Sequence, residues 1–111
     1  MNYKYNNFTL DSKKLQFVYI YKPLKENFND TATEEENKII SEHFVYLKDL
    51  LEKKILIFAG PETNAKFGIA VLETNTEEEA KRIMENDPAV SNKVFTAELF
   101  PFRVSLIRNQ D

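Results

Sequence analysis

The chain has 111 residues, enough to bury one ordinary hydrophobic core and too few for two. Its 42% hydrophobic and 30% charged residues set it apart from disordered chains, and a net charge of -3, from 15 basic and 18 acidic residues spread along the sequence, offers no field for nucleic acid or an anionic membrane. The absence of cysteine and the single histidine exclude disulfides, thiolate nucleophiles and zinc-thiolate or histidine-rich metal sites, so no metal and no cofactor are expected.

Residues 1–13, rich in Asn, Lys and Tyr, read as a polar lead-in to a single domain over residues 14–111. The lead-in lacks the apolar stretch of a signal peptide, and no run reaches the ~18 apolar residues of a membrane span, so a cytoplasmic location is expected. Leu15 to Tyr21 is β-branched and aromatic and stops at Lys22-Pro23, which predicts the first strand. Residues 23–33, with Asn27, Asn29 and Asp30, predict an irregular loop. Thr33 followed by Glu36 is a capping box, and the apolar positions 39, 40, 43, 44, 47, 50 and 51 keep the helical period up to Lys53-Lys54.

Ile55 to Ala59 and Phe67 to Glu73 predict an antiparallel hairpin, with Gly60-Pro61 as a sharp exit from its first strand: Gly supplies unusual dihedrals and Pro ends the pairing. Thr76 and Glu79 repeat the capping-box pattern before an Ala80, Ile83 and Met84 stripe, so a second, shorter helix is expected to end at Asp87-Pro88. Val94 to Phe102 predicts the last strand, with Pro101 as its point of bending, and Val104 to Ile107 is an apolar tail. The order is β-α-β-β-α-β. With right-handed crossovers this is an α+β, ferredoxin-like fold, an antiparallel four-stranded sheet with both helices on one face. Phe17, Tyr19 and Tyr21 alternate with Val18 and Ile20, so the strands are apolar on both sides while the helices cover only one. A homodimer packed through the open sheet face is therefore expected.

His43 shares the apolar face of the first helix, beside Ile39, Ile40, Leu47 and Leu50 rather than among Glu36, Lys48 and Glu52. Its imidazole should point at the core or at a pocket. Histidine's unperturbed pKa of about 6.5 lets it give and take protons near neutral pH. The competing reading is a core histidine that only donates to a backbone carbonyl.

His43-Phe-Val-Tyr46-Leu47, Leu56-Ile-Phe-Ala59-Gly60-Pro61, Glu79-Ala80, Asp87-Pro88 and Phe100-Pro101-Phe102, in this order over residues 14–103, resemble the YciI-like (YCII-related) family of the dimeric α+β barrel superfamily. The resemblance implies the same βαββαβ sheet dimer and a proposed active-site pair, a helical His and an Asp before Pro, which fall on His43 and Asp87. Members of the wider superfamily include muconolactone isomerases, dehydrochlorinating lyases and cofactor-free oxygenases, which implies proton transfer on a small, often cyclic or aromatic, molecule. The chain departs from the family where Lys53-Lys54 replaces a helix-ending glycine, where residues 62–66 lack glycines, and where Phe102 stands in place of a frequent Trp.

On this reading His43 is general base or acid and Asp87 fixes its tautomer, the catalytic residues of a small cofactor-free lyase or isomerase. Tyr19, Gly60 and Pro61 are candidate contacts for an unidentified small-molecule substrate, the Gly60 amide as an anion donor. Each has a plainer reading: Asp before Pro caps local amides, Gly-Pro shapes a strand exit, and tyrosines at alternating positions pack. The alternative function is a non-catalytic, small-ligand-binding or accessory homodimer that keeps the same cleft. Only Gly60 and Gly68 occur in the chain, so no glycine-rich phosphate loop and no nucleotide cofactor are expected.

Overall fold

Alternation in the first apolar run becomes the strand β3 (Leu15–Pro23), which pairs antiparallel on both sides and so lies inside the sheet. The computed structural model describes residues 13–108 and, before them, two short strands, β1 (Lys4–Tyr5) and β2 (Phe8–Thr9), paired antiparallel. The expectation for residues 1–13 otherwise lies outside the described residues. After β3 come α1 (Phe28–Thr31), α2 (Glu34–Glu52), β4 (Leu56–Pro61), β5 (Gly68–Thr74), α3 (Glu77–Asn86), α4 (Pro88–Ser91) and β6 (Phe95–Phe102). The strands β4-β5-β3-β6 line up in that order, all antiparallel, and the helices cover one face. This is the expected α+β, ferredoxin-like βαββαβ arrangement. Among the described residues no helix is long and apolar enough to cross a membrane.

Helix α2 starts as its sequence dictates: Thr33 Oγ1 accepts the Glu36 N–H at 3.1 Å and Glu36 Oε1 accepts the Thr33 N–H at 2.9 Å. The start of α3 keeps only half of this box. Thr76 caps Glu79, but the Glu79 carboxylate accepts the N–H of Asn75 instead. The ends of α2 and α4 share one device. Lys54 (φ 64) and Lys93 (φ 60) take the left-handed conformation, so the N–H groups of Ile55 and Val94 return to the carbonyls of Leu50 and Ala89, each at 2.9 Å. Each helix is thereby turned directly into a strand, β4 or β6, without glycine.

Three expectations change. The loop over residues 23–33 contains the one-turn helix α1, entered through left-handed Asn27 (φ 54) and fixed because Phe28 buries its ring edge-on to Phe95, 6.0 Å between centroids. Gly60-Pro61 does not exit the strand: Gly60 pairs with Ile69, Pro61 pairs with Gly68, and no glycine has positive φ. β4 is an edge strand, where a proline need not break a ladder, and the turn beyond it is made by left-handed Ala65 and by Glu62 Oε1 accepting the Lys66 N–H. β6 runs through Pro101 at the other edge, as the predicted strand over Val94 to Phe102 does. Phe44 and Leu51, counted with the helix's core stripe, are exposed beside it.

Phe17, Tyr19, Tyr21, Ala70, Leu72 and Phe95 join the helices in the main core. On the opposite face Val18 and Val71 form a second cluster, and the apolar tail crosses to them and buries Val104. The Gln16 side chain holds it there, its Oε1 accepting the Val104 N–H at 2.6 Å while its Nε2 donates to Glu73 at 3.2 Å. Part of the face expected to lie bare is thus covered by the chain itself. Phe100 and Phe102 remain 42% and 46% exposed.

A steric demand sits behind the buried face. Gly68 lies under the ring of Tyr21, where an added Cβ would overlap the ring, whereas a Cβ at Gly60 would meet nothing within 4 Å. Gly68→Ala should therefore cost about 1–3 kcal/mol, as overpacking does, while Gly60→Ala, whose added methyl meets open space, should change stability by less than about 0.5 kcal/mol. Urea denaturation of both variants checks this, and equal effects would contradict the assigned packing.

Candidate active site

Pro88 disfavours helical geometry at the residue before it, and Asp87 accordingly adopts φ -58, ψ 124, ending α3 and opening α4. Its side chain turns back to cap the new turn, Oδ1 accepting the Ala89 N–H at 3.0 Å. Oδ2 accepts the Tyr19 hydroxyl at 2.8 Å, and both oxygens stand 2.8 Å from His43 Nδ1. Asp87 is fully buried, 0% exposed, and such a group needs its lone pairs matched by donors. Three donors, from α4, β3 and α2, meet that requirement.

His43 reaches this point from the middle of α2, with Leu47 and Leu50 buried on the same stripe. Its ring stands edge-on to Tyr21 and Phe95, at centroid separations of 5.0 and 5.4 Å, and those two rings stack on each other at 5.0 Å. The imidazole plane is thus fixed by two aromatic rings and one carboxylate. Nε2 makes no hydrogen bond among the described residues, yet no buried side-chain nitrogen or oxygen there lacks a partner, so Nε2 keeps contact with solvent. It meets that solvent in a largely apolar groove of about 1000 Å3 between α2 and the edge strand β4, with Phe44, Leu51 and Phe58 along its walls.

The tyrosines around the pair are donors and not bases. Burial, and then the Asp87 carboxylate, push the Tyr19 phenol far above the ordinary tyrosine range. The same causes push Tyr21 up to about 12, and Tyr46 is also pushed up to about 12 by burial, Asp87 and Asp49. Tyr46 donates to the Ile83 carbonyl at 2.7 Å and ties α2 to α3. Among the described residues no group of three or more His, Cys, Asp or Glu side chains could hold a metal ion.

A model of the YCII-related domain matches residues 17–103. The chain belongs to this family. No curated protein matches it. Among solved structures, the 5-chloro-2-hydroxyhydroquinone dehydrochlorinase (TftG) from Burkholderia phenoliruptrix AC1100, in complex with 2,5-dihydroxybenzoquinone, is similar to it with a TM-score of 0.59 and 16% identity, over 78% of this chain and 93% of that one. At that identity the likeness is one of fold.

Of the residues singled out from sequence, the YCII-related chain brings His43, Asp87 and Tyr19 into one hydrogen-bonded cluster, while Gly60 and Pro61 line the groove on β4. Tyr19 is fully enclosed behind Asp87 and does not line the groove. Of the two rings that clamp the imidazole, Tyr21 reads from sequence as a packing tyrosine and Phe95 escapes the reading. Strand alternation carried the signal, since Tyr21 shares the face of Phe17 and Tyr19, and Phe95 that of Ala97 and Leu99.

Tyrosines that stay protonated in the fold give stability a definite pH dependence. Below pH 10 native and unfolded phenols are alike. Above it the unfolded chain releases protons that native Tyr21 and Tyr46 keep until about 12 and Tyr19 keeps beyond, so stability falls as pH rises through this window. Tyr19→Phe should cost about 1.5–3 kcal/mol near pH 7, through the lost hydrogen bond to a buried carboxylate, and make the alkaline decline shallower. Urea midpoints between pH 8 and 11.5 check both, and an unchanged slope would show that Tyr19 ionises in the fold as freely as in the unfolded chain.

Proposed function

We propose that this YCII-related protein is a small, cofactor-free enzyme of lyase or isomerase type that moves a proton on a small organic, cyclic or aromatic, substrate. The observation that carries the reading is the fully buried Asp87 carboxylate 2.8 Å from His43 Nδ1 at the wall of an apolar groove. With Nδ1–H donated to Asp87, the neutral ring carries its lone pair on Nε2, open to the groove. His43 then takes a proton from carbon beside a substrate carbonyl, and the electron pair moves onto the carbonyl oxygen. Return of the proton at another carbon isomerises the substrate, and collapse of the enolate with loss of a leaving group completes an elimination. Asp87 orients the ring and balances the imidazolium, while Tyr19 and the Ala89 amide hold Asp87; these are positioning residues. Gly60 and Pro61 contribute the β4 wall of the substrate site. The fold shared with a dehydrochlorinase of an aromatic substrate supports this class of chemistry.

The second reading, a non-catalytic small-ligand-binding or accessory homodimer, draws on the burial of His43, 6% exposed and packed edge-on against two rings as a structural histidine would be. Solvent-deuterium exchange at C–H beside a carbonyl, followed by NMR over a panel of cyclic enones and hydroxyquinones, separates the two without requiring the full reaction to be known. The wild type should accelerate exchange, His43→Ala should lower the rate by about 10²–10⁴-fold with ligand affinity retained, and Asp87→Asn, which leaves the wrong tautomer, by about 10²-fold or more. Equal exchange by His43→Ala would favour the binding reading.

We also propose that two copies pack through the open sheet face, where Phe100 and Phe102 are left half exposed beside the tail. The absence of cysteine suits the cytoplasmic setting that we propose. Light scattering should give twice 13.0 kDa at micromolar concentration, and a monomer mass there would remove the dimer.

A further inference from the structure

The groove has a charge pattern that the His43–Asp87 pair does not use. Of the side chains that line it, the ones able to carry charge are His43, Lys48 and Arg108, all basic; no Asp or Glu borders it, although the chain as a whole is acidic. Lys48 stands on α2, just beyond the turn that holds His43, and Arg108 reaches the groove on the tail that Gln16 pins at Val104. Both are exposed, and among the described residues neither takes part in a hydrogen bond or an ion pair. The rest of the wall is apolar, with Phe44, Leu51 and Phe58 exposed on it. An apolar trough bordered by two exposed cations complements a ligand with an apolar, ring-sized body and a negative charge at its end.

Resting on the lyase or isomerase reading of the same site, we infer that the groove takes a small aromatic or alicyclic anion, its ring lying along the apolar wall toward His43 and its carboxylate or enolate oxygen facing Lys48 and Arg108. Charge at this position has two consequences. It selects anionic over neutral molecules of the same shape, and it places positive charge near an oxygen that becomes more negative when His43 removes a proton. Because both cations are exposed, this preference is weakened by salt.

The matched probes 2-naphthoate and 2-naphthamide differ in charge and hardly in shape, and the solitary histidine reports on the site because its ring proton signals need no assignment. Titration of the full chain with each probe, followed by those signals, should show both shifting His43, with naphthoate binding at least tenfold more tightly at low salt. The ratio should fall to threefold or less in Lys48→Gln/Arg108→Gln and in the wild type at 0.5 M salt. Equal affinities with His43 shifted would overturn the anion preference and leave the proton-transfer site standing. A preference for naphthoate that survives the double substitution would equally overturn the roles of Lys48 and Arg108. Should neither probe move the His43 signals, the groove is covered, by a second copy for instance, and both this assignment and the function that rests on it fall.

Discussion

A carboxylate withdrawn from water must be surrounded by donors, and the arrangement around Asp87 constrains much of this molecule. Its oxygens accept from the Ala89 amide, from Tyr19 on the central strand and from His43 on the long helix, so one side chain joins α4, β3 and α2. The break between α3 and α4 has to occur where Pro88 puts it, because only a residue at the cap can offer both oxygens this way. Oδ1 both caps the turn and helps orient the imidazole. The plain reading of Asp-Pro as a local cap and the chemical reading as half of an acid/base pair therefore describe one geometry.

The imidazole is held by shape as well as by charge. Tyr21 and Phe95 stack on each other and both meet the ring of His43 in T-shaped contacts, and Tyr21 reaches that position only because Gly68, opposite it on β5, has no side chain. A line of contact thus runs from a glycine in the sheet to the orientation of a titratable ring in the helix layer. High phenol pKa values fit the same picture: tyrosines enclosed near a carboxylate act as fixed donors and walls, leaving His43 Nε2 as the group of this cluster open to solvent.

Much of this was legible in the chain. Capping boxes, helical period and strand alternation carry the βαββαβ order because each is set by near neighbours, and the position of His43 among aliphatic residues carries its inward direction. What was not legible depends on distant partners. The one-turn helix α1 forms because Phe28 finds Phe95, 67 positions away, and Gly60-Pro61 continues a strand because β4 happens to be the edge of the sheet. Lys54 and Lys93 occupy left-handed positions for which the sequence offers no glycine as a signpost. Tyr19 read as a surface for substrate because alternation tells which face a side chain takes, not which polar group waits there; only the register of β3 against its neighbours, and the packing of α3 and α4 above it, set its hydroxyl on Asp87.

The tail connects the two faces of the sheet. Gln16 fixes Val104 over Val18 and Val71 on the side away from the helices, and three residues later Ile107 and Arg108 border the groove that holds His43. Residues that cover the open face therefore also shape the mouth of the site. A second copy packed on that face would press on the same segment, so the interface and the groove would share a wall. In a chain this small, with one core and one short tail, a surface that completes the fold and a surface that completes the site need not be separate, and the position of Arg108 follows from the burial of Val104 rather than from any loop of its own.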